Sequence, residues 1–175
     1  MSLLSPQIIR AELLTAARFS AFGTVLEAGN QAGRLVNQGR ARRLEGIRAF
    51  SHERGNVPVV DLYQVDRSDL PFKVTCFERH PLSDQVFTPM ACARYLVIVA
   101  PDDANGQPDL SKVSAFVAQS TQGICYRRGT WHAPMIALDA PALMSMLMWE
   151  AGDSRDCEEY WLDAGRDLIV ELLAV

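Results

Sequence analysis

Three histidines occur among the 175 residues, and two of them stand in corners where a side chain can be held in place. The first corner reads Glu78-Arg-His-Pro-Leu-Ser-Asp-Gln85 and lies between two apolar runs. The second reads Gly123-Ile-Cys-Tyr-Arg-Arg-Gly-Thr-Trp-His132-Ala-Pro. Carboxylate, imidazole and amide oxygen together suit a borderline divalent cation, unlike the thiolate cage of a structural zinc site. Alternate residues of an extended chain share a face. Val74, Cys76, Glu78 and His80 are therefore expected on one side of a strand, and Lys73, Thr75, Phe77 and Arg79 on the other. Gln85, Phe87 and Pro89 open another strand, with Gln85 at a neighbouring inward position, and Gly129 permits the tight turn ahead of His132. If the fold joins the two corners, His80, Gln85, His132 and Glu78 form a metal site, with Glu78, His80 and His132 as catalytic candidates. An arginine fork is the natural clamp for a small carboxylate. Arg128 is the first candidate and Arg79 the second, because parity takes Arg79 off the Glu78 face. The plainer alternative makes each imidazole a hydrogen-bonded turn residue, Glu78 an exposed strand end, Trp131 core and His52 a solvated loop residue.

The elements that must position these groups read mostly as strands. Candidates follow in quick succession at residues 58–65, 72–79, 86–88 and 94–100, then 123–128, around 135–138, and 142–150, with turn residues between them. Such spacing predicts a sandwich or barrel. A helix-forming stretch at residues 13–18 leads through a turn into a first strand. Residues 30–43 read as glycine-containing loop with an extended piece at Leu35 and Val36. Leu110, Val113, Phe116 and Val117 fall on one helical face behind a turn cluster, with Ser111 placed as N-cap, so a helix is expected there. A second is expected within 157–175, where Leu168, Ile169, Leu172 and Leu173 are apolar.

Length and composition suit one domain over residues 1–175, mainly β with a few peripheral helices. The formal net charge of −4 argues against nucleic acid or an acidic membrane as partner, although Arg40, Arg42, Arg43 and Arg48 form a basic cluster. The start shows no secretory signal pattern, and the apolar runs are short for a bilayer span. Cys76, Cys92, Cys125 and Cys157 form no CxxC pair, which points to reduced thiols and a cytoplasmic location, with Cys76 and Cys125 as core filler.

Both corners resemble the ureidoglycolate lyase family of the cupin superfamily. The resemblance rests on Phe22-Gly, Asn37-Gln-Gly, Glu78-Arg-His-Pro-Leu with Gln85, Phe87 and Pro89, then Tyr95-Leu-Val-Ile-Val-Ala-Pro, Pro108-Asp-Leu, Ala115-Phe, Gly123, Tyr126, Arg128-Gly and Trp131-His. These words keep the family's order from about Phe19 to about Asp153. The resemblance implies a jelly-roll β-barrel that forms a homodimer and splits ureidoglycolate into glyoxylate and urea, late in allantoin and purine breakdown. It also implies a divalent metal, with nickel as the expected ion, and adds Asn37 and Tyr126 to the substrate-binding candidates. The chain departs from the family at Arg127 and Ala133, where members commonly carry histidines, and at Trp149-Glu150, where many carry aspartate and arginine. Alternatives are a cupin that binds a small carboxylic acid without turnover and a metal-dependent cupin enzyme of other specificity, such as an oxygenase or isomerase.

Overall fold

The computed structural model describes residues 5–47 and 49–173; Arg48 of the basic cluster lies outside them, as do residues 1–4, 174 and 175. In chain order the elements are β1 (Gln7–Leu13), α1 (Ala16–Phe19), β2 (Gly23–Leu26), β3 (Arg34–Val36), β4 (Ala41–Arg43), β5 (Val57–Val65), β6 (Phe72–Val74), β7 (Cys76–Arg79) and β8 (Gln85–Ala91). There follow β9 (Arg94–Ala100), β10 (Ser114–Ala118), β11 (Gly123–Tyr126), β12 (Trp131–His132), β13 (Ile136–Leu138), β14 (Ala142–Glu150), β15 (Glu158–Trp161) and β16 (Leu168–Leu172). The fold is a cupin-type barrel of two sheets. One has the order β15-β7-β12-β9-β10-β1-β16-β6, with β13 added at β9, and the other β2-β11-β8-β14-β5. No helix of the described residues is long and apolar enough to cross a membrane.

Strand β9 shows how the sequence builds the barrel. Every residue from Tyr95 to Ala100 is buried, so the strand reads as an unbroken apolar run rather than an alternating one. Tyr95, Val97 and Val99 point between the sheets, where they meet Phe19, Phe87, Ile124, Met144 and Met146. Leu96, Ile98 and Ala100 point the other way, into a second core with Val74, Phe77, Trp131 and Leu168 on the opposite face of the larger sheet. Burying each such side chain contributes about 1.5–3 kcal/mol, which fixes the register on both faces.

Two expected helices are strands. Only a short 3-10 turn, Leu110–Lys112, forms at the first, capped by the Asp109 carboxylate on the Ser111 amide at 3.1 Å instead of by Ser111 itself. Ser114–Ala118 pairs with β9 and, in parallel, with β1. A strand buried on both faces is apolar at every position, and within such a run a helical stripe can always be found. The second expected helix is replaced by β15 and β16. Leu168 and Val170 are core, and β16 runs between β1 and β6. The stretch at 13–18 yields only the four residues of α1, preceded by β1, which forms because β10 and β16 flank it. The 72–79 run also breaks at Thr75, so Val74 joins Phe77 in the second core instead of sharing a face with Glu78.

Candidate active site

The site lies between the sheets and takes residues from both. Register places His132 of β12 directly opposite Glu78 of β7, so their side chains share the inner face, while Trp131 turns into the second core. His80 follows the end of β7, where the chain crosses to the other sheet. Gln85 opens β8, beside Met148 and Tyr126. The two corners are locked together through the backbone. Gly129, at φ +80°, turns its amide onto the His80 carbonyl at 3.0 Å. The buried Asp84 carboxylate accepts from the Ser51 and Arg128 amides, each at 2.7 Å.

Each imidazole is oriented by a backbone carbonyl. His80 Nδ1 lies 2.8 Å from the Asp156 oxygen, and His132 Nδ1 lies 2.9 Å from the Thr130 oxygen. A carbonyl can only accept, so each Nδ1 carries the proton and each Nε2 presents a lone pair. Those Nε2 atoms are buried without hydrogen-bond partners, and so is Gln85 Oε1. Glu78 Oε1 approaches His132 Nε2 to 3.5 Å. At that distance, with the proton on Nδ1, the contact is two lone pairs facing each other and not a hydrogen bond. The Glu78, His80 and His132 ligand atoms all lie within 4.8 Å of one another. Buried acceptors that converge without donors are costly unless a cation joins them. The donor set therefore fits a divalent metal.

Electrostatics support this. Burial, then the charge that His132 would carry, push the His80 imidazolium below its ordinary range, so the ring is neutral and free to donate its lone pair. Burial pushes the Glu78 carboxyl up, but the proton and positive charge that His132, and then His80, would carry outweigh this and hold it below its ordinary value. The surrounding cavity has a volume of about 600 Å³, and Tyr63, Asp66, Met135, Glu150 and Cys157 are among its walls. Burial and then Glu78 raise the Tyr63 hydroxyl, and burial with Glu78 and neighbouring acids pushes the Cys157 thiol up to about 11.

Other expected residues go elsewhere. Arg79 binds Glu158 and Asp102 and stacks on Trp131, its guanidinium carbon 4.5 Å from the ring centre. Parity explains this placement on the face away from Glu78. Arg128 holds the Pro81 carbonyl and the Glu53 carboxylate, the latter at 3.0 Å, and lines a groove outside the barrel. Asn37 sits exposed at the tip of a separate β3–β4 ribbon, in a left-handed conformation at φ 52°. Tyr126 is buried and stacks on His132, with centroids 4.0 Å apart and planes at 13°; it fixes that ring and is not part of the cavity wall. His52 stacks on Trp149 at 4.8 Å instead of facing water alone. Spacing gave no signal for Asp84 or Asp156, because the Asp84 carboxylate binds backbone amides, and the Asp156 carbonyl an imidazole, far away in sequence.

The ureidoglycolate lyase family profile aligns with residues 6–170. The chain belongs to this family. A ureidoglycolate lyase of Burkholderia mallei is 37% identical over 149 residues, 85% of each chain. One of Rhizobium leguminosarum is 35% identical over 134 residues, 76% of this chain and 79% of that one. One of Pseudomonas fluorescens is 29% identical over 160 residues, 91% and 94% of the two chains. Among solved structures, a dTDP-6-deoxy-D-glucose-3,5-epimerase of Legionella pneumophila matches at TM-score 0.42 and 10% identity, over 68% of this chain and 66% of that one. Against the ureidoglycolate lyase family, the departures have local reasons. Arg127 ties the Ala21 and Ser20 carbonyls at 2.8 and 3.0 Å, and Ala133 packs into the second core, facing away from the site.

Proposed function

We propose that this chain is a ureidoglycolate lyase that splits ureidoglycolate into glyoxylate and urea inside the cavity between the sheets. The observation that carries the reading is the convergence of unpartnered His80 Nε2, His132 Nε2 and Gln85 Oε1 beside the Glu78 carboxylate, in a member of this family. His80, His132, Gln85 and Glu78 would hold a divalent cation, with nickel as the expected ion. Such an ion acidifies a bound hydroxyl and steadies negative charge on oxygen. The protein's own work is proton transfer and positioning. Elimination moves one proton from the substrate hydroxyl to the departing urea nitrogen, so a single carboxylate can take it and return it. Glu78 is that group if it is left uncoordinated. The carbonyls of Asp156 and Thr130 hold both imidazoles in the ligating tautomer. The reaction belongs to the late steps of allantoin and purine breakdown, carried out by a cytoplasmic homodimer of one-domain protomers.

The test is release of urea and glyoxylate by purified protein, with and without added divalent ion, alongside oxygen consumption. Equal amounts of both products, lost with a chelator and restored by metal, are expected. Binding of the substrate without either product would make the chain a carboxylate-binding module, and oxygen uptake would make it an oxygenase.

A further inference from the structure

The cavity has the wrong sign for an anionic substrate. Asp66, Glu78, Glu150 and Asp156 line it, and among the described residues no lysine or arginine does. A substrate carboxylate entering this field is repelled by Asp66, Glu78 and Glu150, and a single dication in the site offsets only part of that charge, while the Asp156 carboxylate is held by the Ala151, Gly152 and Asp153 amides. Arg79 and Arg128 are committed elsewhere.

The cations lie on the β3–β4 ribbon. Its strands pair only with each other, apart from both barrel sheets. Its base is tied by Gln31, which bonds the Glu45 carbonyl and amide at 3.2 and 2.9 Å, and Gly46 returns beside Leu26 at the end of β2. A ribbon with three residues per strand is not stable alone in water, and this one exposes Leu35. Register also sets Arg34 directly opposite Arg43. Among the described residues neither guanidinium has an acidic partner. Like charges facing each other across a pair of strands are destabilising, and an anionic surface would relieve that repulsion.

In the structure the arm does not line its own cavity. It is rooted at β2, while the cavity walls come from β8, β14 and β5 of the same sheet. Two to four strand spacings separate root and walls, about 10 to 19 Å.

The outer face of that sheet supplies a docking surface. Val60 and Leu62 of β5 are 66% and 62% exposed, Met90 of β8 is 59% exposed, and the half-buried Leu147 sits beside Val60. With Thr88 and Ser145 between them, this patch bears no charge, so two copies can pack it face to face without repulsion. A two-fold axis along the strands lays β2 of one copy over β5 of the other. Registers read across the sheet put Leu26, at the arm's root, level with Leu62, and such an axis preserves that level. An axis across the strands would instead lay β5 on β5 and β2 on β2, leaving each arm on the edge of the partner's sheet away from β5.

We propose that a second copy of this chain completes the site, its β3–β4 arm covering the acidic rim and its Arg34–Arg43 pair facing the substrate carboxylate. The inference rests on the function proposed above and extends it. The same arm brings in the partner's Asn37.

Complementation tests it. Arg34→Ala/Arg43→Ala raises KM at least about tenfold with a smaller change in kcat, and His80→Ala is inactive. When the two are mixed, at substrate well below the raised KM, and allowed to exchange, half the dimers are hybrid with one intact site each. Activity then returns to about one quarter of wild type. No recovery after demonstrated exchange overturns the proposal. Sedimentation reads it independently of turnover. Wild type is expected as a dimer and Leu62→Glu as a monomer, and a monomeric wild type overturns the proposal. If wild type releases no urea, the functional reading fails, and charge exchange still reads the arm. Arg34→Glu/Arg43→Glu and Asp66→Lys each weaken the dimer, and mixing them restores it. Failure of that rescue sinks the arm contact alone.

Discussion

At the scale of single residues, the proposed chemistry depends on two nitrogen lone pairs kept free by backbone carbonyls. Replacing either His80 or His132 by alanine removes a donor from a site with three titratable ligands, so divalent-ion affinity should fall at least about 100-fold. Calorimetric titration measures it, and an unchanged circular dichroism spectrum separates loss of the site from loss of the fold. The same groups set the acid limit. The His80 imidazole titrates below its usual 6.5 in the folded chain, so the unfolded chain binds more protons as pH drops through and below that value. Stability contributed by the neutral ring is therefore complete above about 6.5 and lost toward acid. The Glu78 carboxyl, also lowered, adds a loss of the same sign below its ordinary 4.5. Urea melts of metal-free protein between pH 7 and 4 should fall monotonically, and His80→Gln should flatten the upper part of that decline.

At the scale of elements, two glycines decide how the corners meet. At Gly23 a Cβ would come 1.9 Å from the Cys125 carbonyl oxygen, which no rearrangement short of parting β2 from β11 relieves. Gly23→Ala should cost more than about 2 kcal/mol in denaturant unfolding. Gly129 has open space around it but φ +80°, so Gly129→Ala should cost only about 1–2 kcal/mol, and Gly129→Asn less. Equal costs at both positions would show that the β2–β11 approach is looser than described. Strand existence was readable at β5, β9 and β14, where apolar or alternating runs are long. It was not readable at β10 or β16, where a helical stripe and a doubly buried strand have the same composition and only the neighbours β9 and β1 distinguish them.

At the scale of the whole molecule, binding of the proposed metal would be linked to folding, because its ligands come from β7, β8 and β12 and the turn between two sheets. A divalent ion at 1,000 times its dissociation constant should stabilise the protein by about 4 kcal/mol. Thermal melts with and without chelator read this shift, which should vanish in His132→Ala. The sequence by itself determined a mainly-β sandwich or barrel, the two corners and the donor types they carry, because alternation, turn residues and ligand chemistry are local properties. Only the tertiary structure decided that Glu78 and His132 are cross-strand partners, that Arg79 and Arg128 are tied up outside the cavity, and that β10 and β16 are strands. Each of those outcomes depends on pairing between residues distant in the chain, and that pairing is settled by burial on both sheet faces at once.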